Sequence, residues 1–217
     1  MEKLRSLRFL AVAAITCVIA SQAMAVPSIW NTGVNDSGMA LGSGDTDTHY
    51  TLVTPDGPAT PIATAPNPWW VVPGSNSMWI GPTLSNVTDT VGTYTYSMSF
   101  SLTEEEIPLS LTGQWATDNT GVILLNGNST GFSRSEPDTF YSLSDFQFDG
   151  SLLNVGVNTL TFVLENTPVV SGPNPTGLLV TNLALNYPAS PIPAPGAVVL
   201  VSLGTCVIGF VRRRGIL

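Results

Sequence analysis

The ten residues from Thr93 to Leu102 read Thr-Tyr-Thr-Tyr-Ser-Met-Ser-Phe-Ser-Leu. Every second residue is large and mainly apolar, and each residue between is a serine or a threonine. Because successive side chains of a β-strand point to opposite faces, this alternation predicts a strand with one buried face and one hydroxyl-rich face. The run therefore indicates an antiparallel sheet whose apolar face packs on a second layer.

Short apolar runs separated by turn residues lie on both sides of that strand. They predict further strands at Leu109–Trp115, Val122–Leu125, Leu160–Leu164 and Leu179–Tyr187, and earlier ones at His49–Val53, Trp69–Val72 and Met78–Ile80. Asn126 and Gly127 predict a two-residue hairpin turn, because both residues accept positive φ. No helical period is found between Val26 and Tyr187. The sequence therefore predicts an all-β fold, an antiparallel β-sandwich.

Residues 1–25 have the pattern of a secretory signal peptide. Three basic residues precede a 12-residue apolar stretch from Phe9 to Ala20. Ala23 and Ala25 form a small-x-small cleavage site. We therefore expect export through the secretion translocon and a mature domain spanning residues 26–187. An uncleaved N-terminal anchor is the alternative.

The C-terminal end combines a proline break, an apolar run and a basic cluster. A Pro-rich spacer at residues 188–196 precedes residues 197–217, which hold the uncharged run Ala197–Val211 and three arginines. As a helix the run would be about 22 Å long, shorter than the roughly 30 Å hydrocarbon core, so it predicts a short transmembrane helix. The arginines are expected on the cytoplasmic side, which places the preceding chain outside.

This tail resembles the PEP-CTERM sorting signal of bacteria, in which a Pro-Glu-Pro-like tripeptide is followed by a short transmembrane helix and an arginine cluster. The matching positions are Pro193, Ala194, Pro195, Arg212, Arg213 and Arg214. Ala194 replaces the glutamate, and this form is similar to a known Pro-Ala-Pro variant. The resemblance implies recognition by an exosortase, a membrane transpeptidase that removes the tail. A plain C-terminal anchor helix is the alternative.

The segment between the two ends is strongly acidic. Of the chain's 15 acidic residues 14 lie between Val26 and Tyr187, whereas only Arg134 of its seven Lys and Arg residues does, so the segment's formal net charge is near −13. Such a surface repels nucleic-acid phosphates and anionic lipids and suits divalent cations or neutral ligands such as sugars. Both cysteines, Cys17 and Cys206, lie in the end segments. Disulfide and thiolate chemistry are therefore excluded from the exported segment.

The middle of the chain carries a second resemblance. Trp115-Ala116-Thr117-Asp118-Asn119 is followed by Ile123-Leu124-Leu125-Asn126-Gly127. This pair of segments resembles a strand pair of galactose-binding-like jelly-roll sandwiches. The resemblance implies the fold and does not imply sugar binding. We expect Trp115 to cap the core, and Asp118 and Asn119 to close a tight loop by bonding to their own backbone.

Several aromatic and polar residues are candidates for ligand binding. Trp69 and Trp70 are adjacent on a predicted strand, so one ring must point outward, and with Trp79 they could stack on the apolar face of a sugar. Asp118 and Asn119 are candidates for polar contacts to the same kind of ligand. The alternative is that the tryptophans are buried against the sandwich edge.

Asp45 and Asp47 are candidate calcium ligands. They lie in the loop Gly42-Ser43-Gly44-Asp45-Thr46-Asp47-Thr48-His49, whose glycines allow backbone carbonyl oxygens to turn inward. The loop lacks the closing glutamate of an EF-hand. The alternative is an acidic turn in solvent, in which case no cofactor is expected.

No arrangement of residues predicts catalysis. His49 is the single histidine, and the sequence has no Gly-x-Ser-x-Gly nucleophile elbow. Glycoside hydrolysis needs two opposed carboxylates roughly 5–10 Å apart, and nothing in the sequence pairs Glu136 with Glu165. We therefore expect a protein that is not an enzyme.

The sequence thus predicts an exported, non-enzymatic protein with a structural or adhesive role at the cell surface or in an exopolysaccharide matrix. The expected partners are the translocon, the exosortase, the membrane through the C-terminal helix, and polysaccharide, but not nucleic acid. One alternative is a carbohydrate-binding module that uses the candidate residues above, with or without calcium. The other alternative is a secreted glycan hydrolase.

Overall fold

A computed structural model describes residues 28–104, 107–135 and 139–188. Outside these ranges lie the predicted signal peptide with its cleavage site at Ala23 and Ala25, nearly all of the spacer, the predicted transmembrane helix, all six sorting-signal positions, and Glu136. Within the described ranges, no helix is long and apolar enough to cross a membrane.

The described part of the chain folds into two antiparallel sheets. The strands are β1 (Thr51–Thr54), β2 (Gly57–Ala59), β3 (Ile62–Thr64), β4 (Trp79–Gly81), β5 (Gly92–Leu102), β6 (Ser110–Asp118), β7 (Thr120–Leu125), β8 (Asn128–Arg134), β9 (Ser144–Asp149), β10 (Gly156–Asn166) and β11 (Gly177–Asn186). One sheet has the order β2-β1-β5-β10-β7-β8, and the other has the order β3-β4-β11-β6-β9. The predicted all-β, antiparallel sandwich is confirmed, and a short 3-10 helix at Gly150–Leu152 follows β9.

Strand β5 contains the alternating run and shows the predicted burial. Its apolar residues from Tyr94 to Leu102 are buried, and the serines and threonines between them are partly or fully exposed. The strand pairs with β10 along its whole length, so that Leu102 lies opposite Gly156. On the outer face, Ser97 Oγ and Thr161 Oγ1 are 3.0 Å apart. Cross-strand hydroxyl bonds therefore connect the solvent side of this sheet.

The main core lies between the two sheets. The six-stranded sheet contributes Tyr94, Tyr96, Met98, Phe100, Leu160, Phe162 and Leu164, and the five-stranded sheet contributes Leu111, Trp115, Phe146, Phe148, Leu178 and Val180. Trp115 is 1% exposed and lies 5.8 Å from Phe162, ring centroid to ring centroid. The prediction that Trp115 belongs to the sandwich core is confirmed.

A second, smaller apolar cluster covers the outer side of the five-stranded sheet. Ala116 on β6 pairs with Leu179 on β11, and both alternate with core-facing residues such as Trp115, so they face away from the main core. Trp70 and Trp79 pack over them. This cluster fixes the segment between β3 and β4 against the end of the sheet.

Two details of the strand predictions are wrong. Residues 69–72 form a turn followed by an extended loop, because a turn begins at Asn67 and Pro68. Leu109 is 62% exposed, because β6 begins only at Ser110 and Leu109 precedes it. The other predicted strands are confirmed in position. So is the hairpin turn, in which Asn126 has φ 53° and Gly127 has φ 77°.

Candidate functional site

The site starts at the turn between β3 and β4. The Asn67 carbonyl oxygen accepts a hydrogen bond from Trp70 N at 2.8 Å, and Asn67 Oδ1 accepts one from Trp69 N at 3.2 Å. Asparagine at the first position and proline at the second are favoured in such turns, since the asparagine bonds to the following backbone and proline fixes φ. The turn separates the two adjacent rings: Trp69 is 67% exposed, and Trp70 is 4% exposed.

Trp70 is held in place by a second tryptophan and by a carboxylate. Its ring centroid lies 4.3 Å from that of Trp79, and its Nε1 donates to Asp118 Oδ2 at 2.7 Å. Trp79 is fully buried, and its Nε1 donates to Val71 O at 2.9 Å. A buried indole N–H needs an acceptor, and both rings have one. Trp79 therefore supports the site from below and does not reach a ligand, whereas Trp69 is free to do so.

Asp118 and Asn119 lie at the corner between β6 and β7, joined by a cis peptide bond. Asn119 Nδ2 donates to Asp118 Oδ1 at 2.8 Å, and Asn119 Oδ1 accepts from Thr167 N at 2.8 Å. The Thr176 hydroxyl donates to the Asp118 carbonyl oxygen. For Asn119 the predicted bond to its own backbone is therefore wrong. The pair instead connects this corner to the segment between β10 and β11.

That segment forms the opposite side of the site and is anchored by Asp89. Asp89 N donates to Asn174 O at 2.9 Å, and Asp89 Oδ2 accepts from Thr176 N at 2.9 Å. Burial raises the pKa of Asp89, and hydrogen bonds from Thr83 and Thr176 oppose the rise. The backbone around Asn174 is thus held in a fixed position relative to the corner at Asp118.

Together these segments enclose an open cleft with a volume of about 250 Å³, named here the tryptophan cleft. It is lined by Asn67, Trp69, Trp70, Asp118, Asn119, Phe140, Tyr141, Val169, Pro173, Asn174 and Pro175. Its floor consists of buried residues, and its rim carries the exposed rings of Trp69 and of Tyr141, which is 50% exposed. The cleft brings together four of the five residues predicted as ligand contacts, and the fifth, Trp79, lies beneath it.

The tryptophan cleft combines aromatic surface with hydrogen-bond acceptors. Tyr141 lies 4.3 Å from Phe140, centroid to centroid, so the rim is made of packed rings. Asp118 is the only ionisable carboxyl among the described lining residues, and no Lys, Arg or His is found among them. Exposed rings offer a surface to apolar C–H groups, and carboxylate and amide oxygens accept hydrogen bonds from hydroxyl groups.

The two aspartates predicted as calcium ligands bind backbone amides. Asp47 is 1% exposed, and it accepts hydrogen bonds from Gly33 N at 2.7 Å and from His49 N at 2.8 Å. Burial raises the pKa of Asp47, although these bonds partly offset the effect. Asp45 is exposed and accepts from Gly42 N at 3.0 Å. Among the described residues, no group of three or more His, Cys, Asp or Glu side chains is placed to share a metal ion.

His49 connects the N-terminal segment to the fold. Its Nε2 lies 3.1 Å from Asp36 Oδ1, its Nδ1 lies 3.1 Å from Val34 O, and its ring stacks on Trp30 at a centroid distance of 4.2 Å. This arrangement gives the single histidine a packing role.

A second cleft, named here the sheet-face cleft, has a volume of about 550 Å³. It is lined by Thr112, Gly113, Gln114, Phe132, Asp145, Phe146, Gln147 and Asn182. Asn182 Nδ2 donates to Gln114 Oε1 at 2.7 Å, and Gln114 Nε2 donates to Asp145 Oδ1 at 2.7 Å. None of these residues was predicted from the sequence as a ligand contact. Their only sequence signal is that polar residues alternate with apolar ones on two strands.

Some lining residues of the tryptophan cleft were also missed. Phe140 and Tyr141 come from the loop before β9, and Pro173, Asn174 and Pro175 come from the segment before β11. The turn at Asn67 and Pro68 could have been predicted from its residue types. Nothing in the sequence indicates that three separate loops meet at one end of the sandwich.

No protein-family model matches the chain, and no curated protein matches it. Among solved structures, it is similar to an FMN-binding beta-glucuronidase from Facaelibacterium prausnitzii L2-6 (17% identity, TM-score 0.35, 72% of this chain and 23% of that chain). It is also similar to a putative beta-galactosidase from Bacteroides fragilis (15% identity, TM-score 0.34, 64% of this chain and 23% of that chain). A third similar structure is CBM35 from Paenibacillus barcinonensis (18% identity, TM-score 0.32, 64% of this chain and 98% of that chain). The chain thus spans less than a quarter of the length of each of the two enzymes. At TM-scores this low, the similarities do not indicate a function.

Proposed function

We propose that this chain is an exported, non-enzymatic protein of the cell surface or extracellular matrix, and that its β-sandwich binds polysaccharide in the tryptophan cleft. The observation that carries the proposal is the placement of Trp69. Its ring is 67% exposed at the rim of a cleft whose floor holds Asp118 and Asn119. A large exposed aromatic ring beside fixed polar groups is suited to the C–H face and the hydroxyl groups of a sugar.

The size and openness of the cleft favour a short stretch of a longer glycan. A volume of about 250 Å³ lies just below the range of roughly 300–1,000 Å³ typical of pockets for drug-sized ligands. Such a space has room for only a small part of a glycan, and because the cleft is open, a longer chain can extend beyond it into solvent. The proposed ligand is therefore a polymer bound along its length.

Charge favours an uncharged polymer. The domain predicted from residues 26–187 has a formal net charge near −13, and the described lining of the cleft holds a carboxylate but no cationic side chain. Uronate and sulfate groups would be repelled both at long range and at the site. Because each carboxylate oxygen can accept more than one hydrogen bond, hydroxyl groups of a neutral sugar can donate to Asp118 in addition to its bonds from Trp70 and Asn119.

A binding role fits the chemistry of the cleft better than hydrolysis does. Glycosidases require two carboxyl groups on opposite sides of the scissile bond. Among the described lining residues only Asp118 carries a carboxyl group, and both of its oxygens accept bonds from Trp70 and Asn119. A carboxylate held in this way positions an aromatic ring.

The test is to measure binding of soluble β-glucan, galactomannan, dextran and polygalacturonate by isothermal titration calorimetry. We expect binding to at least one of the three neutral polymers and none to polygalacturonate. Trp69→Ala should weaken that binding about tenfold, which is about 1.4 kcal/mol. Trp69→Phe should retain most of it, and Val72→Ala, which removes an exposed apolar side chain outside the cleft, should retain all of it. Full affinity in Trp69→Ala would contradict the proposal.

Export and sorting are the second part of the proposal. The signal-peptide pattern of residues 1–25 and the PEP-CTERM-like tail, with Pro193, Ala194, Pro195 and the arginines at 212–214, support delivery to the envelope and processing by an exosortase. The galactose-binding-like jelly roll is the finer fold assignment that we propose for the sandwich. It rests on the segments that begin at Trp115 and at Ile123.

A purely structural or adhesive role is the second candidate. It is favoured by the internal hydrogen bonds of Asn119, since both its side-chain amide atoms already bond within the protein. In that case Trp69 would contact a protein neighbour, and no polymer of the panel would bind.

A further inference from the structure

The polar lining residues of the sheet-face cleft on β6 and β9 lie on the outer face of these strands, and Phe132 of β8 also lines the cleft. Thr112 lies opposite Gln147, and Gln114 lies opposite Asp145. These side chains share one face of the sheet because they alternate with core-facing residues such as Phe146. This polar face plays no part in the tryptophan cleft, and the two clefts have no lining residue in common.

Three of its polar side chains, those of Asn182, Gln114 and Asp145, are oriented by hydrogen bonds to one another before any ligand arrives. The chain of bonds from Asn182 through Gln114 to Asp145 fixes the Gln114 amide plane, because both of its ends are engaged. Thr112 Oγ1 accepts from Asn186 Nδ2 at 3.0 Å, which leaves the Thr112 hydroxyl proton available. Gln147 is exposed and offers an unrestrained amide. Side-by-side amide, hydroxyl and carboxylate groups match the alternating donors and acceptors of vicinal sugar hydroxyls.

The two clefts are separated by packed side chains. Gln114 and Asp118 lie four residues apart on β6, a distance of about 13 Å along the strand. Between them, on the same face, Ala116 has 0% exposure because Trp70 and Trp79 cover it. A ligand in one cleft therefore does not need to contact the other.

We propose that the sheet-face cleft is a second carbohydrate site and that one chain thereby cross-links two segments of neutral polysaccharide. This inference rests on carbohydrate binding in the tryptophan cleft. The described residues that line the sheet-face cleft include one carboxylate, Asp145, and no Lys, Arg or His, so an uncharged polymer is the ligand here as well. Two modest sites on one domain hold a repeating polymer more firmly than either alone and join separate chains.

The test uses the full-length protein in a detergent without a sugar headgroup, with the polymer that binds in the panel above (β-glucan, galactomannan or dextran) and the tetrasaccharide of that polymer as the short ligand. Calorimetry with the tetrasaccharide should give two sites per chain. Trp69→Ala and Gln147→Ala should each weaken one site about tenfold and leave the other unchanged, and the double variant should weaken both. Wild-type protein should raise the viscosity of the polymer solution several-fold, and either single variant should abolish the rise. Ser101→Ala, on the exposed face of the other sheet, is the matched control and should behave as wild type.

Each other outcome is decisive. If calorimetry finds a single tetrasaccharide site and Gln147→Ala leaves it intact, the cross-linking proposal is overturned and the proposed function stands. One site weakened by both variants indicates a single extended groove and also overturns cross-linking. Two sites that Gln147→Ala leaves intact overturn the assignment to the sheet-face cleft. No binding of the tetrasaccharide or of any neutral polymer in the panel overturns the proposed function together with this inference.

Discussion

At the scale of single residues, three tryptophans close in sequence have three different roles. Trp69 presents its ring to solvent, Trp70 bonds to a buried carboxylate, and Trp79 supports Trp70 from the sheet. The turn at Asn67 decides which ring is exposed, since it directs the adjacent side chains apart. Amino-acid type alone does not distinguish these roles, because all three are large aromatic rings with one N–H donor.

The same substitution at two of these positions should therefore have unequal effects on stability. Trp70→Phe removes the donor to Asp118 Oδ2 and leaves that carboxylate with one bond fewer at a site 6% exposed. Since hydrogen bonds to buried charged groups contribute more than neutral ones, we expect the free energy of unfolding to fall by about 2 kcal/mol. Trp69→Phe is the control and should change it by less than about 0.5 kcal/mol. Urea unfolding followed by circular dichroism compares the two variants, and equal midpoints would refute the role assigned to Asp118.

The sequence predicted that one of the adjacent rings of Trp69 and Trp70 points outward, and Trp69 is exposed. The expected cause, alternation along a strand, is wrong, because the turn at Asn67 separates the two rings. The hydrogen bond between Asn119 and Thr167 could not be predicted from the sequence. The two residues are 48 positions apart, and only the pairing of β10 with β7 brings them close.

At the scale of elements, the hairpin between β7 and β8 is the clearest case of local sequence dictating local structure. Asn126 and Gly127 both have positive φ, the geometry of a type I′ turn. Asn126 Oδ1 also accepts from Thr159 N at 2.9 Å, so the turn is tied to the neighbouring strand β10. The backbone conformation of the turn thus sets the register of β7 against β8, and the Asn126 side chain attaches the turn to β10.

Gly127→Ala should destabilise the protein by about 1 kcal/mol, because a Cβ in the left-handed region meets the following carbonyl oxygen. Nothing lies within 4 Å of the new methyl group, so the cost comes from the backbone alone. Gly74→Ala is the matched control, since Gly74 is exposed without positive φ and needs only a small shift of the Asn76 side chain. We expect Gly74→Ala to be neutral or slightly stabilising in thermal unfolding. A similar loss in both variants would contradict this explanation.

The strands with the clearest signal in the sequence are the long central ones. β5 and β10 alternate apolar and polar residues over most of their length, which is the pattern of a strand with one buried face. β8 was missed because its residues, Asn-Ser-Thr-Gly-Phe-Ser-Arg, have no regular apolar face at the edge of the sheet. β9 was missed although Phe146 and Phe148 alternate with polar residues, so it could have been predicted.

At the scale of the whole molecule, the candidate site is formed by pieces that the sequence keeps far apart. Asn67, Asp118, Tyr141 and Asn174 meet only because β4, β6 and β11 are neighbours in one sheet. Strand order follows from how two apolar faces pack, and the period of one strand contains no information about its neighbours. The alternation therefore predicted a sandwich, and the position of the cleft required the folded chain.

Two features of the whole chain relate to the location of the protein: the net charge of the acidic segment and the two predicted end segments. Arg134 is the only Lys or Arg of the acidic segment, and its Nη2 donates to Ser142 O at 2.8 Å. Because two negatively charged surfaces of this kind repel each other, protein molecules without a ligand resist association. A neutral polymer, in contrast, is not repelled by the charge of this surface. A protein of this kind is suited to an exterior that is rich in uncharged glycan.

The sorting proposal predicts a defined mass for the protein isolated from its native host. Removal of residues 1–25 and cleavage near Pro195 would leave a product without the Ala197–Val211 run, found at the surface or in the medium. Replacing Pro193 and Pro195 by alanine should prevent the second cleavage and retain the protein in membranes, since the apolar run would remain. Intact-mass measurement of membrane and medium fractions distinguishes these cases. A wild-type chain that still ends at Leu217 and occurs only in membranes would instead indicate a tethered sandwich, limited to the polysaccharide within reach of the cell.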